Sequence, residues 1–179
     1  MKEDIKNQKR SQTIEVSGRE GVFLFPCFPL VLVCVKDNIL TVAAVSFFSF
    51  NPPMVMIGIV PTRYSFEIIK ETNNFSINIP TAELIEEVKF CGSKSGREVN
   101  KFDATGLTPK KAKKISSYLI DECPVNLECK VIHTIDLKGT HVWFVGEVVT
   151  AYKREDYDRS DALTYWPREY RKVGKVISS

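Results

Sequence analysis

Leu30-Val-Leu-Val-Cys-Val35 is an unbroken run of aliphatic and β-branched residues with nothing polar on either face. A strand with one wet face alternates, and this run does not. It therefore reads as a strand buried on both sides or closed into a barrel. Lys36-Asp37-Asn38 supplies turn residues immediately after it. A second run, Ile39 to Phe48, mixes β-branched and small residues (Thr41, Val42, Ala43, Ala44, Val45, Ser46). Asn51-Pro52-Pro53 ends that run, because proline has no N–H to give to a ladder. Met54 to Val60 reads as a third strand, and Phe75 to Ile79 alternates as a short one stopped by Pro80. Val125 to Leu137 and His141 to Tyr152 form two long strands joined as a hairpin around Lys138-Gly139-Thr140.

Helical periodicity is confined to short stretches. Phe66 to Thr72 places Phe66 and Ile69 on one face, with Thr62 or Ser65 available as N-cap and Asn73-Asn74 as the stop. Thr81 is placed to cap a helix over Ala82 to Phe90, with Gly92 as its C-cap glycine. Ser93 to Ser117 has no clear period and reads as a long loop. Strands and helices do not alternate regularly, which disfavours a parallel α/β sheet. The fold class is mainly β: a β-barrel with short helices. Residues 1–20 form a polar lead-in, and 21–179 a single domain whose charged tail from Asp156 carries Tyr157, Tyr165, Trp166 and Tyr170.

The composition agrees with one globular domain. The chain has 179 residues, 44% apolar and 11% aromatic, which excludes general disorder. No apolar stretch approaches the ~20 residues of a membrane span. Twenty-five Lys+Arg against 22 Asp+Glu leave a charge of +3, too small to imply nucleic acid or an anionic membrane as partner. Lys110, Lys111, Lys113 and Lys114 alone can supply that excess, in what reads as a solvated loop. Five cysteines and a polar N-terminus without an apolar core point to free thiols in a reducing cytoplasm.

The nine glycines form neither G-x-G-x-x-G nor a P-loop, and G-x-S-x-G is absent. Two histidines, His133 and His141, leave little for a triad or a metal site, and none is assigned. Three segments remain. Pro61 to Phe66 puts an arginine and two hydroxyls at a strand-to-helix junction. Such a junction suits a phosphate, although simple capping with a solvent-facing Arg63 accounts for it too. Cys91-Gly-Ser-Lys-Ser-Gly-Arg-Glu-Val-Asn-Lys-Phe102 offers Ser93, Ser95 and Lys101 to an anion, or is an ordinary polar loop. Thr41-Val-Ala-Ala-Val-Ser46 sets small residues against bulky strands, for tight packing or for a flat ligand. Together the three are the parts needed for a flat aromatic cofactor with a phosphate tail.

Several segments, in order, resemble the flavin reductase-like, FMN-binding split-barrel proteins, and within them the flavoredoxin-type branch. Phe28-Pro-Leu-Val-Leu-Val33 is similar to the family's opening strand. Asn38-Ile-Leu-Thr-Val-Ala43 is similar to its Asn-Ile-x-Thr strand, with Asn51-Pro-Pro53 at the expected distance. Pro61-Thr-Arg-Tyr-Ser65, followed by Ile68-Ile-Lys-Glu-Thr-Asn-Asn-Phe75, is similar to its Arg-Tyr-Ser/Thr segment. Cys91-Gly-x-x-Ser-Gly-Arg-Glu-Val-x-Lys-Phe102 with Gly106-Leu-Thr-Pro109 is the most specific stretch, and Val125 to Val131 and His141 to Val148 resemble the later strand pair. Three positions depart from the pattern: Asn100 where many relatives carry Asp, Thr140 in place of the Asp of Gly-Asp-His, and Ala44 where some place Trp.

The resemblance implies a split β-barrel homodimer with FMN near the subunit interface. It implies that Thr41, Ala43 and Ala44 line the flavin ring, that Arg63, Tyr64 and Ser65 hold the phosphate and ribityl chain, and that Ser95 and Lys101 complete the anchoring. The implied reaction passes electrons from NAD(P)H through bound FMN to a flavin or redox-protein acceptor, the cofactor performing the redox step. His141 is the one candidate for a catalytic contact. The alternative is a non-enzymatic FMN-binding electron carrier with no direct NAD(P)H reaction. The aromatic tail would either cover the partner's flavin or pack on the barrel.

Overall fold

The computed structural model describes residues 13–166, 169–174, 176 and 177. Most of the expected lead-in, residues 1–12, and Pro167 in the tail lie outside the described residues. A short helix, α1 (Gly18–Phe23), precedes β1 (Phe28–Pro29), β2 (Val31–Val35), β3 (Asn38–Val42), β4 (Val45–Phe50) and β5 (Pro53–Ile59). Helix α2 (Tyr64–Thr72) and β6 (Asn74–Ile79) follow. A 3-10 turn (Ala82–Leu84) leads into α3 (Ile85–Ser93) and α4 (Lys101–Thr105). Then come β7 (Pro109–Lys111), β8 (Tyr118–Ile120), β9 (Val125–Ile135), β10 (Val142–Lys153), β11 (Leu163–Trp166) and β12 (Glu169–Lys172).

Seven strands make one antiparallel sheet in the order β3-β2-β6-β9-β10-β5-β4. Its two edge strands, β3 and β4, are consecutive in the chain and joined by Ala43 and Ala44 alone. Six strand spacings laid flat would separate those edges by roughly 29 Å. The three steps from Val42 to Val45 reach only about 10 Å. The sheet must therefore curl until its ends nearly meet, while Gly58 N–H, donating to Ala44 C=O at 2.7 Å, carries the β4–β5 ladder up to the joint. The expected single strand over Ile39–Phe48 is thus two strands at opposite ends of one sheet, parted where the side chains are smallest.

The Leu30–Val35 run is buried on both faces, as its sequence pattern requires. Val31, Val33 and Val35 enter the barrel interior with Val42, Ile57, Ile59, Ile69, Phe75, Ile77 and Phe144. Leu30, Leu32 and Cys34 face a second cluster with Ile39, Val88, Cys91, Phe102, Ile120, Cys123 and Leu163. The tail packs on the barrel: β11 pairs with β1 and β12, and Trp166 stacks on Phe28 at 6.2 Å.

Two helical expectations change. The Ala82–Phe90 helix begins one turn later, and Gly92 lies within α3 rather than after it, packed against Thr41. Lys94 is the C-cap. The expected loop over 93–117 contains α4, whose N-cap Asn100 accepts from the Phe102 and Asp103 N–H groups, and whose end turns on Gly106 at φ 73°. It also contains β7. Five free cysteines fit the composition; four are buried and Cys27 is exposed. The lysines at 110, 111, 113 and 114 are exposed.

Glu128 on β9 is fully buried without a cationic partner. Its carboxylate accepts from Lys113 N–H (2.8 Å), Lys114 N–H (2.6 Å) and Tyr152 O–H (2.7 Å), pinning the 113–114 segment to the barrel. Burial raises its pKa, but these bonds outweigh burial and hold it below the ordinary 4.5. The contribution is complete above the ordinary value and is lost as pH falls through the lower folded value. Glu128→Gln turns an amide N–H toward donors that need an acceptor. It should cost about 1–3 kcal/mol in urea unfolding at pH 7, and should flatten the acid limb of stability against pH. An unaltered acid limb would show that the clasp does not depend on the charge.

Candidate functional site

The seam between β3 and β5 opens into a cavity of about 420 Å³, within the range of small-molecule sites. Its walls come from four segments far apart in the chain: residues 38–44, 58–65, 91–101 and His141. Thr41, Ala43, Ala44, Arg63, Tyr64, Ser65, Ser95 and Lys101 all line it, together with His141. The three segments that sequence patterns single out are brought to one place.

One wall is nearly bare. Ala43 and Ala44 form the seam, and Gly58 faces them. A Cβ at Gly58 would stand 3.1 Å from Ala44 Cβ and 3.3 Å from the Trp143 ring, so the backbones approach each other closely only because that side chain is missing. Thr41 contributes less than its hydroxyl suggests, since Oγ1 donates to Val88 C=O at 2.6 Å and ties β3 to α3.

The other end is the start of α2. Its N-cap is Arg63 in extended conformation, and no side chain caps the helix. The expected capping by Thr62 or Ser65 does not occur: Ser65 lies inside the helix and its hydroxyl accepts from Asn38 Nδ2 at 2.7 Å. A nine-residue helix thus points uncapped N–H groups and its positive dipole end at the cavity beside an exposed arginine. Asn38 also carries a buried Oδ1 without a hydrogen-bond partner. Uncapped donors and a buried free acceptor in one cavity are what a phosphate-bearing ligand with hydroxyls would satisfy.

Lys101 has a different environment from the phosphate-facing one expected. It is 4% exposed, and Nζ donates to Ile39 C=O (2.6 Å) and Cys91 C=O (2.8 Å), which fastens β3 to the last turn of α3. Burial lowers its pKa, and the charge of Arg63 lowers it further against the opposing effect of Cys91. Cys91 lines the cavity, but burial pushes its thiol up to about 11, so it is no thiolate nucleophile at neutral pH. Ser95 Oγ accepts from Arg97 N–H at 3.3 Å, and the Arg97 guanidinium lies 5.1 Å from the Tyr64 ring centroid. His141 Nδ1 shares a 2.8 Å hydrogen bond with Thr140 Oγ1. No group of His, Cys, Asp and Glu among the described residues is arranged to hold a metal ion.

Asn38, Gly58 and Arg97 line the cavity without having been singled out from the sequence. Asn38 looked like a turn residue, and only its register on β3 turns it inward. Gly96 carries the clearest steric requirement: a Cβ there would lie 2.0 Å from Asn38 Oδ1 and 3.0 Å from Tyr64 Cδ1. Gly96→Ala should therefore destabilise the fold by about 1–3 kcal/mol, the usual cost of overpacking, in chemical denaturation. A variant as stable as the parent would mean that the 94–97 segment yields without cost.

Comparison with known proteins gives a consistent picture. Residues 27–174 match the flavin reductase like domain family. An uncharacterised protein of Archaeoglobus fulgidus is 35% identical over 129 residues, covering 71% of this chain and 72% of that protein. Flavoredoxin from Methanosarcina acetivorans superposes with a TM-score of 0.84 at 28% identity, covering 94% of this chain and 95% of that one. Flavoredoxin of Desulfovibrio vulgaris (Miyazaki F) gives 0.81 at 26%, with 94% and 96% covered.

Proposed function

The chain belongs to the flavin reductase-like domain family, and from that premise we propose that it is an FMN-binding oxidoreductase of the flavin reductase/flavoredoxin type. Electrons pass from NAD(P)H through bound FMN to a flavin or redox-protein acceptor. The observation that carries this reading is the convergence of Arg63, the uncapped start of α2, Ser65, Ser95 and the bare Ala43–Ala44–Gly58 wall on one cavity.

FMN, when bound, supplies reversible hydride acceptance, and the protein supplies position and electrostatics. The α2 N–H groups and Arg63 hold the phosphate, with Tyr64 and Ser95 beside it. Asn38 Oδ1 accepts from a ligand hydroxyl or N–H. Thr41, Ala43 and Ala44 border the ring, whose room depends on the side chains missing there. Lys101 keeps β3 and α3 in register and adds positive potential from below the cavity surface. His141, held by Thr140, stands at the cavity wall as the group nearest to a catalytic contact. The buried neutral thiols agree with a reducing, cytoplasmic setting.

Purified protein mixed with FMN should quench flavin fluorescence, and anaerobic NADH or NADPH should then bleach the flavin absorbance. Protein that takes up no FMN would overturn the reading; flavin that stays oxidised with both nucleotides would assign the carrier role instead. Arg63→Ala should weaken FMN binding by about 1.5 kcal/mol, roughly tenfold, the loss of one hydrogen bond to a charged group. Unchanged affinity would put the phosphate elsewhere.

A homodimer belongs to the same proposal. β4 is an edge strand carrying Phe47 and Phe50, stacked at 4.8 Å, with Phe50 84% exposed. Phe23 at the end of α1, and Leu24 and Phe25 after it, are exposed. So much exposed aromatic surface beside an open strand edge is a liability for a monomer. Light scattering should give a dimer mass for the parent and a monomer mass for Phe50→Asp. A monomeric parent would remove the dimer from this account.

A further inference from the structure

Among the described residues, β7 and β8 ladder only with each other, as a two-stranded hairpin against β6 and β9. A lone hairpin is marginally stable, so whatever fastens it decides when it is in place. Leu107 and Leu119 are buried, and between them no apolar side chain is. Polar groups hold the stretch instead. The face beneath carries Asn74, Ser76 and Asn78 on β6 and Asn126 and Glu128 on β9, all buried. Asn74 Nδ2 donates to Ser116 Oγ (3.0 Å), Ser117 Oγ donates to Asn74 Oδ1 (2.8 Å), and Ser76 Oγ donates to Tyr118 C=O (2.7 Å). Glu128 takes the Lys113 and Lys114 N–H groups.

Such a face has water as an alternative partner, which an apolar face lacks. Uncovering it exposes amides, hydroxyls and one carboxylate rather than core, the mark of a segment that opens locally. Charge acts in the same direction. Lys110, Lys111, Lys113 and Lys114 stand together and repel, and among the described residues only Lys110 of the four is ion-paired, with Asp121. The hairpin also grips the turn between β2 and β3. Ser117 Oγ accepts from Lys36 N–H (3.0 Å), and Tyr118 N–H donates to Lys36 C=O (3.0 Å). Lys36 has a φ of 52°, a left-handed conformation that a residue with a Cβ keeps only where its surroundings fix it. Two residues on, Asn38 lines the cavity and bonds through Nδ2 to Ser65 in the first turn of α2.

We propose that residues 109–117 form a strap, latched by Glu128, that lifts from β6 and β9 while the barrel stays folded, and that a ligand in the cavity holds it down. Lifting withdraws the strap's bonds to the Lys36 turn and so loosens the seat of Asn38. A ligand that needs Asn38 and the start of α2 in place binds the latched form better, and by linkage it favours latching. This second half rests on the reading that the ligand is FMN; the first half does not.

Trypsin digestion of the native protein, read by mass, follows the cut after Lys110, Lys111, Lys113 or Lys114. Where opening and closing are fast, that rate tracks the population of the open form. It should change little in urea below the unfolding transition, because local opening exposes little surface. Glu128→Gln should speed the cut by about tenfold, and Tyr152→Phe, which removes one of the bonds to Glu128, should speed it less. FMN at about ten times its Kd should slow the parent's cut by about tenfold. A rate that climbs steeply from the first addition of urea would overturn the strap, since the segment would then open only with the whole domain. An unchanged rate in both variants would overturn the latch. FMN that binds and leaves the rate unaltered would overturn the link to the cavity. Protein that binds no FMN overturns the parent reading alone, and the urea and variant results then still decide the strap.

Discussion

The two-residue joint Ala43–Ala44 governs the architecture. It connects the first and last strands of a seven-stranded sheet, so the sheet has to close on itself, and the closure is incomplete because the joint carries no side chain large enough to fill it. What lies inside the seam is set by that constraint. β3 brings Asn38 and Thr41, β5 leads to the start of α2, and α3 packs over β3, where Thr41 Oγ1 bonds to Val88 C=O. The site is less a pocket added to a barrel than the place where the barrel fails to shut.

The strength of the sequence reading follows from which physics each stretch depends on. Leu30–Val35 is legible because burial on two faces leaves a short, unbroken, β-branched run. The Arg63 junction was legible because strand-to-helix transitions expose N–H groups whatever surrounds them. Ile39–Phe48 misled, since the break at Ala43–Ala44 contains no glycine or proline and is imposed by closure of the sheet. Gly92 misled in the opposite sense: a glycine near a helix end suggests a cap, whereas tight packing on Thr41 keeps it inside α3. α4 escaped notice because five residues are too short to show a period, although Asn100 and Gly106 mark its two ends.

Lys101 shows where residue type and residue role part company. A lysine among serines and glycines reads as an anion ligand, and the resemblance to FMN-binding split barrels implies the same. Its ammonium is instead committed to the carbonyls of Ile39 and Cys91. A long, flexible cation can satisfy helix-end carbonyls as well as it can meet a phosphate, and no sequence pattern distinguishes the two uses. Its charge still reaches the cavity, so it shapes the electrostatics of the site without offering a free end to it.

The closure of the sheet has a consequence for how the protein responds to its surroundings. The cavity walls come from β3, the start of α2, the segment between α3 and α4, and His141, which only the native fold brings to one place. A partly folded chain therefore has no cavity, and any small molecule held there binds the native state alone. By mass action, such a molecule adds RT ln(1 + [L]/Kd) to the stability of the whole domain rather than to one loop. The supply of that molecule in the cell then becomes a determinant of how much folded protein survives quality control.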